Sequence, residues 1–234
     1  MSRIPEVVAL LARTQLFGVL DDSERRQIAE AMREEQFAAG RVIFTREEAG
    51  TGLFLIAEGR VRLSVLNVDG RELTFRFVEK GEIMGEIAAL DGGPRTAHAV
   101  AVIPVRAMVL SHVRLARIME ARGAITRAAV RFLCARLRDT STQLEEIALN
   151  PVERRVARFL VSALRLAQQD LSRQDVPFDL RMTQAEMALL LGASRPNVNV
   201  ALGALEDQGA ITRTGEQLVC HPPTLLRIAG FEDG

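Results

Sequence analysis

Cysteine is scarce: Cys134 and Cys220 are the chain's two. They are too few and too far apart for a disulfide framework or an iron–sulfur cluster, and both are expected as buried thiols. Histidine is nearly as thin, and His98, His112 and His221 have no metal-ligand spacing, so no metal is expected. Long apolar runs are missing too. None approaches the roughly 20 residues of a membrane span, and Met1-Ser2-Arg3-Ile4-Pro5 does not begin a secretory signal. No membrane association and a cytoplasmic location are therefore expected. Net charge is absent as well: 30 basic residues meet 30 acidic ones. Any nucleic-acid binding must rest on local geometry rather than on an overall basic field. What remains, 234 residues of which 48% are hydrophobic and 26% charged, is enough for two modest domains with separate cores.

The densest chemistry lies in Gly85-Glu86-Ile87-Ala88-Ala89-Leu90-Asp91-Gly92-Gly93-Pro94-Arg95-Thr96-Ala97. A phosphate needs donors that converge without obstruction. Arg95 offers a planar fork, Thr96 a hydroxyl, and the glycines let backbone N–H groups approach closely. Ionised Glu86 only accepts hydrogen bonds, so it suits a sugar hydroxyl rather than a phosphate. The segment reads as a cradle for a small molecule with a diol at one end and a phosphate at the other. The competing reading is a strand-to-turn connection whose Arg and Glu pair on the surface.

Gly85-Glu86-Ile87 followed by Arg95-Thr96-Ala97 resembles the phosphate-binding cassette of cyclic-nucleotide-binding domains. The resemblance implies that Glu86 holds the ribose 2′-hydroxyl and that Arg95 and Thr96 hold the cyclic phosphate. Around the cassette the pattern is β-rich. Residues 41–45, 53–57, 60–65, 73–78 and 100–110 are short and largely alternating, with turns at Glu58-Gly59, Asp69-Gly70 and Lys80-Gly81. They predict an antiparallel roll with the cassette between two strands. Leu63 and Phe75 are either apolar walls of the pocket or plain core. Residues up to about 35 read as helical, with Ser23 or a neighbouring aspartate capping a helix over residues 24–32.

A long helix is predicted over residues 111–149, broken near Gly123. Val130, Leu133, Leu137, Thr140, Leu144 and Ile147 advance by alternating threes and fours, an a/d seam that predicts a homodimer. The alternative is a helix packed on its own roll. Thr140 interrupts the seam with Ser141 beside it, and Arg136 lies one turn earlier, within reach of Glu86. Arg136-Leu137-Arg138-Asp139-Thr140-Ser141 resembles the stretch that touches adenine in the catabolite-activator branch of the Crp/Fnr family, one hydroxyl coming from each subunit.

Asn150-Pro151 punctuates the chain. Asn150 as a cap, Pro151 at the first helical position and Glu153 closing a capping box predict a new helix to about residue 167. A polar loop is expected over residues 168–179. Thr183-Gln184-Ala185-Glu186 is a second capping box, opening a helix that ends at Gly192. A further helix spans residues 195–207 and buries Val198, Ala201, Leu202 and Leu205. Two short helices about a glycine turn make a helix-turn-helix, and residues 211–213 and 217–219 around Gly215 read as a hairpin wing. An ordinary helical hairpin is the alternative. This segment resembles the family's DNA-binding domain down to Leu205-Glu206-Asp207-Gln208. With the cassette and the seam in the same order, the resemblance covers nearly the whole chain.

The fold class expected is therefore α+β. A cyclic-nucleotide-binding β-roll occupies residues 1–110, a dimerisation helix residues 111–149 and a winged helix-turn-helix residues 150–234. The resemblance implies a homodimeric transcription regulator, switched by cyclic AMP (cAMP), that binds palindromic double-stranded DNA and works with RNA polymerase. Residues placed at the DNA are Thr183, Gln184, Ser194, Arg195, Pro196, Asn197, Asn199 and Val200. Ser194 and Arg195 match the catabolite-activator pattern, implying an Arg195 contact to guanine. That pattern's glutamate is replaced by Pro196 and its second arginine by Val200. Asn199 then reads adenine or a phosphate, and Val200 packs on a thymine methyl. Basic and acidic residues nearly balance beyond residue 151, so a moderate salt dependence is expected. Thr96 keeps cyclic GMP (cGMP) open beside cAMP, since its hydroxyl lies near a syn purine. Competing functions are a nucleotide-independent regulator and a regulatory subunit of a partner protein. The cysteine-ligated oxygen sensors of the family are disfavoured, and no catalytic dyad marks an enzyme.

Overall fold

The computed structural model describes residues 3–68, 72–180, 182–214 and 217–231. The turns expected at Asp69-Gly70 and Gly215 lie outside the described residues. Packing divides the chain into two units, Met1–Thr140 and Ser141–Gly234. The elements together are α+β, with an antiparallel roll, a long helix and a helix-turn-helix.

The first unit opens with α1 (Arg3–Arg13) and α2 (Asp22–Ala31). Asp21 caps α2 in a capping box with Glu24. The strands are β1 (Arg33–Phe37), β2 (Val42–Phe44), β3 (Gly52–Glu58), β4 (Arg60–Leu66), β5 (Glu72–Glu79), β6 (Ile83–Met84), β7 (His98–Ala101) and β8 (Val105–Ser111). They form two four-stranded antiparallel sheets, ordered β1-β8-β3-β6 and β2-β7-β4-β5. Alternation along β3 explains why it is buried on both faces. Leu53, Leu55 and Ala57 join the cluster of α1 and α2, whereas Phe54 and Ile56 join the core between the sheets.

Two expectations are corrected here. Residues 33–35 are strand, not helix: Met32 leaves α2 with extended backbone, its side chain buried, and β1 pairs with β8. Residues 100–110 are not one strand either, because Pro104 has no N–H for a ladder and the chain turns between β7 and β8.

Helix α3 (Glu86–Asp91) lies inside the cassette. Helices α4 (His112–Ala121) and α5 (Gly123–Leu149) are separated at Arg122, as the sequence predicts near Gly123. In its first half α5 buries Ile125, Ala128, Ala129 and Phe132. Cys134 follows Phe132 by two residues, about 200° around the helix. It is therefore exposed, against expectation, while Cys220 is buried as expected.

In the second unit α6 (Val152–Leu166), α7 (Gln184–Leu190), α8 (Arg195–Asp207) and α9 (Pro222–Ala229) enclose one apolar core. A three-stranded sheet ordered β10-β11-β9 joins it, from β9 (Val176–Phe178), β10 (Ile211–Thr214) and β11 (Gln217–Cys220). The expected polar loop thus contains a strand, because Val176 is buried against the wing. The expected capping at Asn150 is also corrected. Pro151 is itself the N-cap, without a side-chain bond. Asn150 instead donates from its amide to Glu146 at 3.0 Å, and Glu153 accepts from Gln208 at 2.7 Å.

Candidate functional site

The cassette is assembled around one close approach. Gly85 has φ +73° and caps α3; a Cβ there would stand 2.4 Å from Arg95 Nη1. Only glycine fits both the left-handed backbone and the guanidinium. Arg95 Nη1 donates to the Gly85 carbonyl at 2.9 Å, tying the two halves of the cassette together. A loop between β2 and β3 holds the Arg95 backbone: its N–H donates to Glu48 O at 2.8 Å, and its carbonyl accepts from Glu47 N–H at 2.9 Å.

Arg95 and Glu86 are both buried, 4% and 6% exposed. A buried guanidinium is costly without charge partners. Part of the compensation is aromatic, since the Arg95 guanidinium lies 4.4 Å from the centre of Phe44 and 5.5 Å from that of Phe54. Burial pulls its pKa down, countered by the fields of Glu48 and Glu86. Its Nε is buried and makes no hydrogen bond. A buried N–H left over on a cation suits an incoming anion. A phosphate fits this donor, and the acceptor-only Glu86 beside it fits a hydroxyl.

Arg136 reaches the cradle from α5. Its Nε stands 3.8 Å from Glu86 Oε1, and its guanidinium rests 5.0 Å from the centre of Phe132. Residues without an obvious motif complete this wall. Arg76 bonds Glu82 at 3.2 Å and donates to the Ile83 carbonyl at 2.6 Å, fixing the strand that leads into Gly85. Burial lowers the Arg76 pKa first and the charge of Arg136 second, while Glu82, Glu86 and Asp139 oppose both. Sequence reasoning missed Arg76, Glu48, Phe44 and Phe54. Alternation marks the aromatics only as core, and no local spacing links the charges to the cassette.

The other candidates are placed as follows. Ile87 is 39% exposed, and Thr96 is exposed at the cassette. Leu63 packs half-buried against the core between the sheets. Phe75 is exposed as the extra residue of a bulge, since Leu63 pairs with Arg76 and Ser64 with Thr74. Thr140 and Ser141 are exposed on α5. So are Val130, Leu137 and Leu144 of the predicted seam, while Leu133 and Ile147 are half-buried.

In the second unit, Thr183 caps α7 in a capping box with Glu186, and Ser194 caps α8 through the Asn197 N–H at 3.3 Å. Helix α8 buries Val198, Ala201, Leu202 and Leu205, as expected. Its opposite side exposes Arg195, Pro196, Asn197, Asn199 and Val200, while Gln184 on α7 is half-buried. Arg155 donates to the Leu191 carbonyl and so fixes the turn between the two helices. Glu206 holds Arg213 of the wing. Among the described residues no cluster of three or more His, Cys, Asp or Glu is placed to hold a metal, and no helix is long and apolar enough to cross a membrane.

Comparison with known proteins agrees with this geometry. Residues 34–122 match the cyclic nucleotide-binding domain, and residues 154–228 match the Crp-like helix-turn-helix domain. The chain is 31% identical over 211 residues to a CRP-like cAMP-activated global transcriptional regulator of Mycobacterium tuberculosis, covering 90% of this chain and 93% of that one. It is 30% identical over 175 residues to the cyclic AMP receptor protein of Thermus thermophilus, covering 75% and 77%. Among solved structures, the Thermus thermophilus catabolite activator protein aligns at TM-score 0.54 and 26% identity, over 94% of this chain and all of that one. FixK2 of Bradyrhizobium japonicum aligns at 0.70 and 22% identity, over 84% and 96%, a likeness of fold.

Proposed function

Since this chain belongs to the Crp/Fnr family of transcription regulators, we propose that it is a cytoplasmic homodimer whose binding to palindromic DNA is switched by cAMP. The observation that carries this reading is the buried Arg95, whose buried Nε–H has no partner, beside buried Glu86. Arg95 and Thr96 hold the cyclic phosphate and Glu86 the ribose hydroxyl; Arg136, beside Glu86, relays occupancy to α5. Thr140 and Ser141 take the adenine edge, one hydroxyl from each subunit. Exposed Val130, Leu137 and Leu144, seven residues apart, support α5 pairing with a second copy. Ile87, Leu63 and Phe75 flank the purine.

The domains assigned are a nucleotide domain over residues 1–110, a dimerisation helix over 111–149 and a DNA domain from residue 150. Nucleotide biases a two-state arrangement of the paired helices, setting the two α8 helices about 34 Å apart, one DNA turn. DNA must then tighten nucleotide binding by the same factor. On α8, Arg195 forks onto guanine, Asn199 reads adenine or a phosphate, and Val200, 73% exposed, covers a thymine methyl. Pro196 cannot donate to a base. Inner half-site positions therefore shift from G·C to A·T. The caps at Thr183 and Ser194 direct helix starts at phosphates, with Gln184 and Asn197 alongside. RNA polymerase is the protein partner of the DNA-bound form.

The exposed Thr96 hydroxyl favours cGMP as a second ligand, because a guanine amino group has a partner there. Calorimetry with both nucleotides, on wild type and Thr140→Ala, tests the assignment. The variant should lose affinity for cAMP more than for cGMP. Absence of heat with either nucleotide would overturn the reading.

A further inference from the structure

Away from the cassette, between α2 and α4, lies a cavity of about 290 Å³. It exists because the two helices are directed elsewhere. Helix α2 turns Ile28 and Ala29 into the core with α1, while α4 packs on α3, β3 and β8. The space between them keeps an apolar floor of Leu20, Ile28, Ala31 and Ile118.

The walls are cationic. Arg114, Arg117 and Arg122 line the cavity against a single carboxylate, Glu24, with the neutral Gln27 beside them. Two of these arginines are partly engaged: Arg122 pairs with Glu24, and Arg114 donates to the Ala31 carbonyl at 3.1 Å. Arg117 makes no hydrogen bond or ion pair with any described residue. One guanidinium is thus free, two others keep spare N–H groups, and the balance of charge is positive above an oily floor. A carboxylate is the anion a planar guanidinium matches with two parallel hydrogen bonds. The apolar floor is stabilised when a ligand's apolar body covers it. At about 30 Å³ for each water-sized group, the space suits a molecule on the order of ten non-hydrogen atoms.

We propose that this cavity is a second small-molecule site, which takes a compact monocarboxylate with an apolar body. Its placement makes it an input to the long helix. Arg122 is the joint between α4 and α5, with φ −142° and ψ 88°. A bound carboxylate competes with Glu24 for the guanidinium at that joint. None of the residues forming the cavity belongs to the nucleotide cradle, so the site stands whether or not the cAMP assignment does.

The test is calorimetric titration of the full chain, free of cyclic nucleotide, with hexanoate, acetate and 1-hexanol. Hexanoate should bind saturably, on the order of 1 mM or tighter. Acetate, a head group without the apolar body, and hexanol, the body without the charge, should each bind at least about tenfold more weakly. Arg117→Gln, an exposed change, should weaken hexanoate about fivefold or more while leaving hexanol unchanged. Glu24→Gln frees Arg122 and should tighten hexanoate. Melting temperatures of both variants within a few degrees of wild type confirm that they are folded. Hexanoate binding no tighter than acetate or hexanol, or binding unchanged in Arg117→Gln, overturns the proposal.

Discussion

The two units place their polar chemistry in opposite ways. All the buried polar residues among those described, Thr14, Ser64, Thr74, Glu86 and Arg95, belong to the first unit. The core of the second, from Val156 to Ala229, is apolar throughout, and its candidate base-reading residues stand on the outer side of α8. In the nucleotide unit the two charged groups that would bind ligand, Glu86 and Arg95, are also groups that the fold had to bury. In the DNA unit the two duties fall on opposite faces of one helix. Substitutions in the cradle should therefore move stability and binding together, whereas substitutions on α8 should move binding alone.

The largest effect follows from Arg95. Arg95→Met removes the buried cation and leaves Glu86 without it, so cyclic-nucleotide affinity should fall about 100-fold, close to 3 kcal/mol. Arg95→Lys should rescue little, because one ammonium cannot reach both the Gly85 carbonyl and a phosphate as a fork does. Both variants should also shift the melting temperature of the unliganded protein. Titration calorimetry and thermal unfolding read the two quantities separately. Retention of affinity within about threefold would remove the cradle assignment.

Arg195→Ala comes next and tests the other half of the comparison. Losing a bidentate base contact should cost about 1–3 kcal/mol of operator affinity and relax selection at that base pair. The melting temperature should stay within about 1 °C, because Arg195 touches no core. A melting shift of several degrees would mean that α8 does not separate folding from reading.

The same division decided what was legible in the sequence. The buried face of α8 and its exposed side follow from a period of 3.6, and the structure keeps both. Gly85, Glu86 and Arg95 were legible because their chemistry is written in one local segment. Arg76 was not: its partners Glu82 and Ile83 lie six and seven residues on, around a turn, and Arg136 comes from another helix. Strand β1 was hidden as well. Arg33-Glu34-Glu35-Gln36 has no strand propensity, and only pairing with β8 makes it extended. The cassette's own helix, α3, is six residues long, too short for a periodic signal.

The two cysteines give a third, smaller contrast. Burial in the second unit's core pushes the Cys220 thiol up to about 12. Cys134 is exposed on α5. As pH rises above 9 the unfolded chain ionises Cys220 while the folded chain does not, so stability is present below that pH and is lost toward 12. The slope is about 1.4 kcal/mol per pH unit for one group. The window is unusually clean, since the chain has no tyrosine and Lys80 is its sole lysine. Cys220→Ala should flatten the alkaline branch of a denaturant-midpoint profile. Equal alkaline branches in wild type and Cys220→Ala would show the thiol to be less enclosed than its burial implies.

The smallest effect separates two residues with the same backbone and different surroundings. Glu47 and Gln168 are the two non-glycine residues of positive φ among those described, at 71° and 54°. Gln168 follows α6, where its N–H bonds Arg165 O at 3.0 Å, and a left-handed residue there ends the helix. Glu47 follows β2, and its N–H bonds the Arg95 carbonyl. In each case glycine relieves a left-handed cost of about 1–2 kcal/mol and adds unfolded-chain entropy that offsets part of it. Gln168→Gly and Glu47→Gly should therefore each stabilise by about 0.5–1 kcal/mol, measured by urea unfolding. Their effects on function should diverge. Glycine at 168 belongs to the second unit, contributes nothing to the cradle's hydrogen bonds, and should leave nucleotide affinity alone. Glycine at 47 loosens the loop that holds Arg95 by its backbone, and should weaken nucleotide binding about twofold even as the protein becomes more stable. If Glu47→Gly stabilised without any change in affinity, the loop would support the fold and not the cradle.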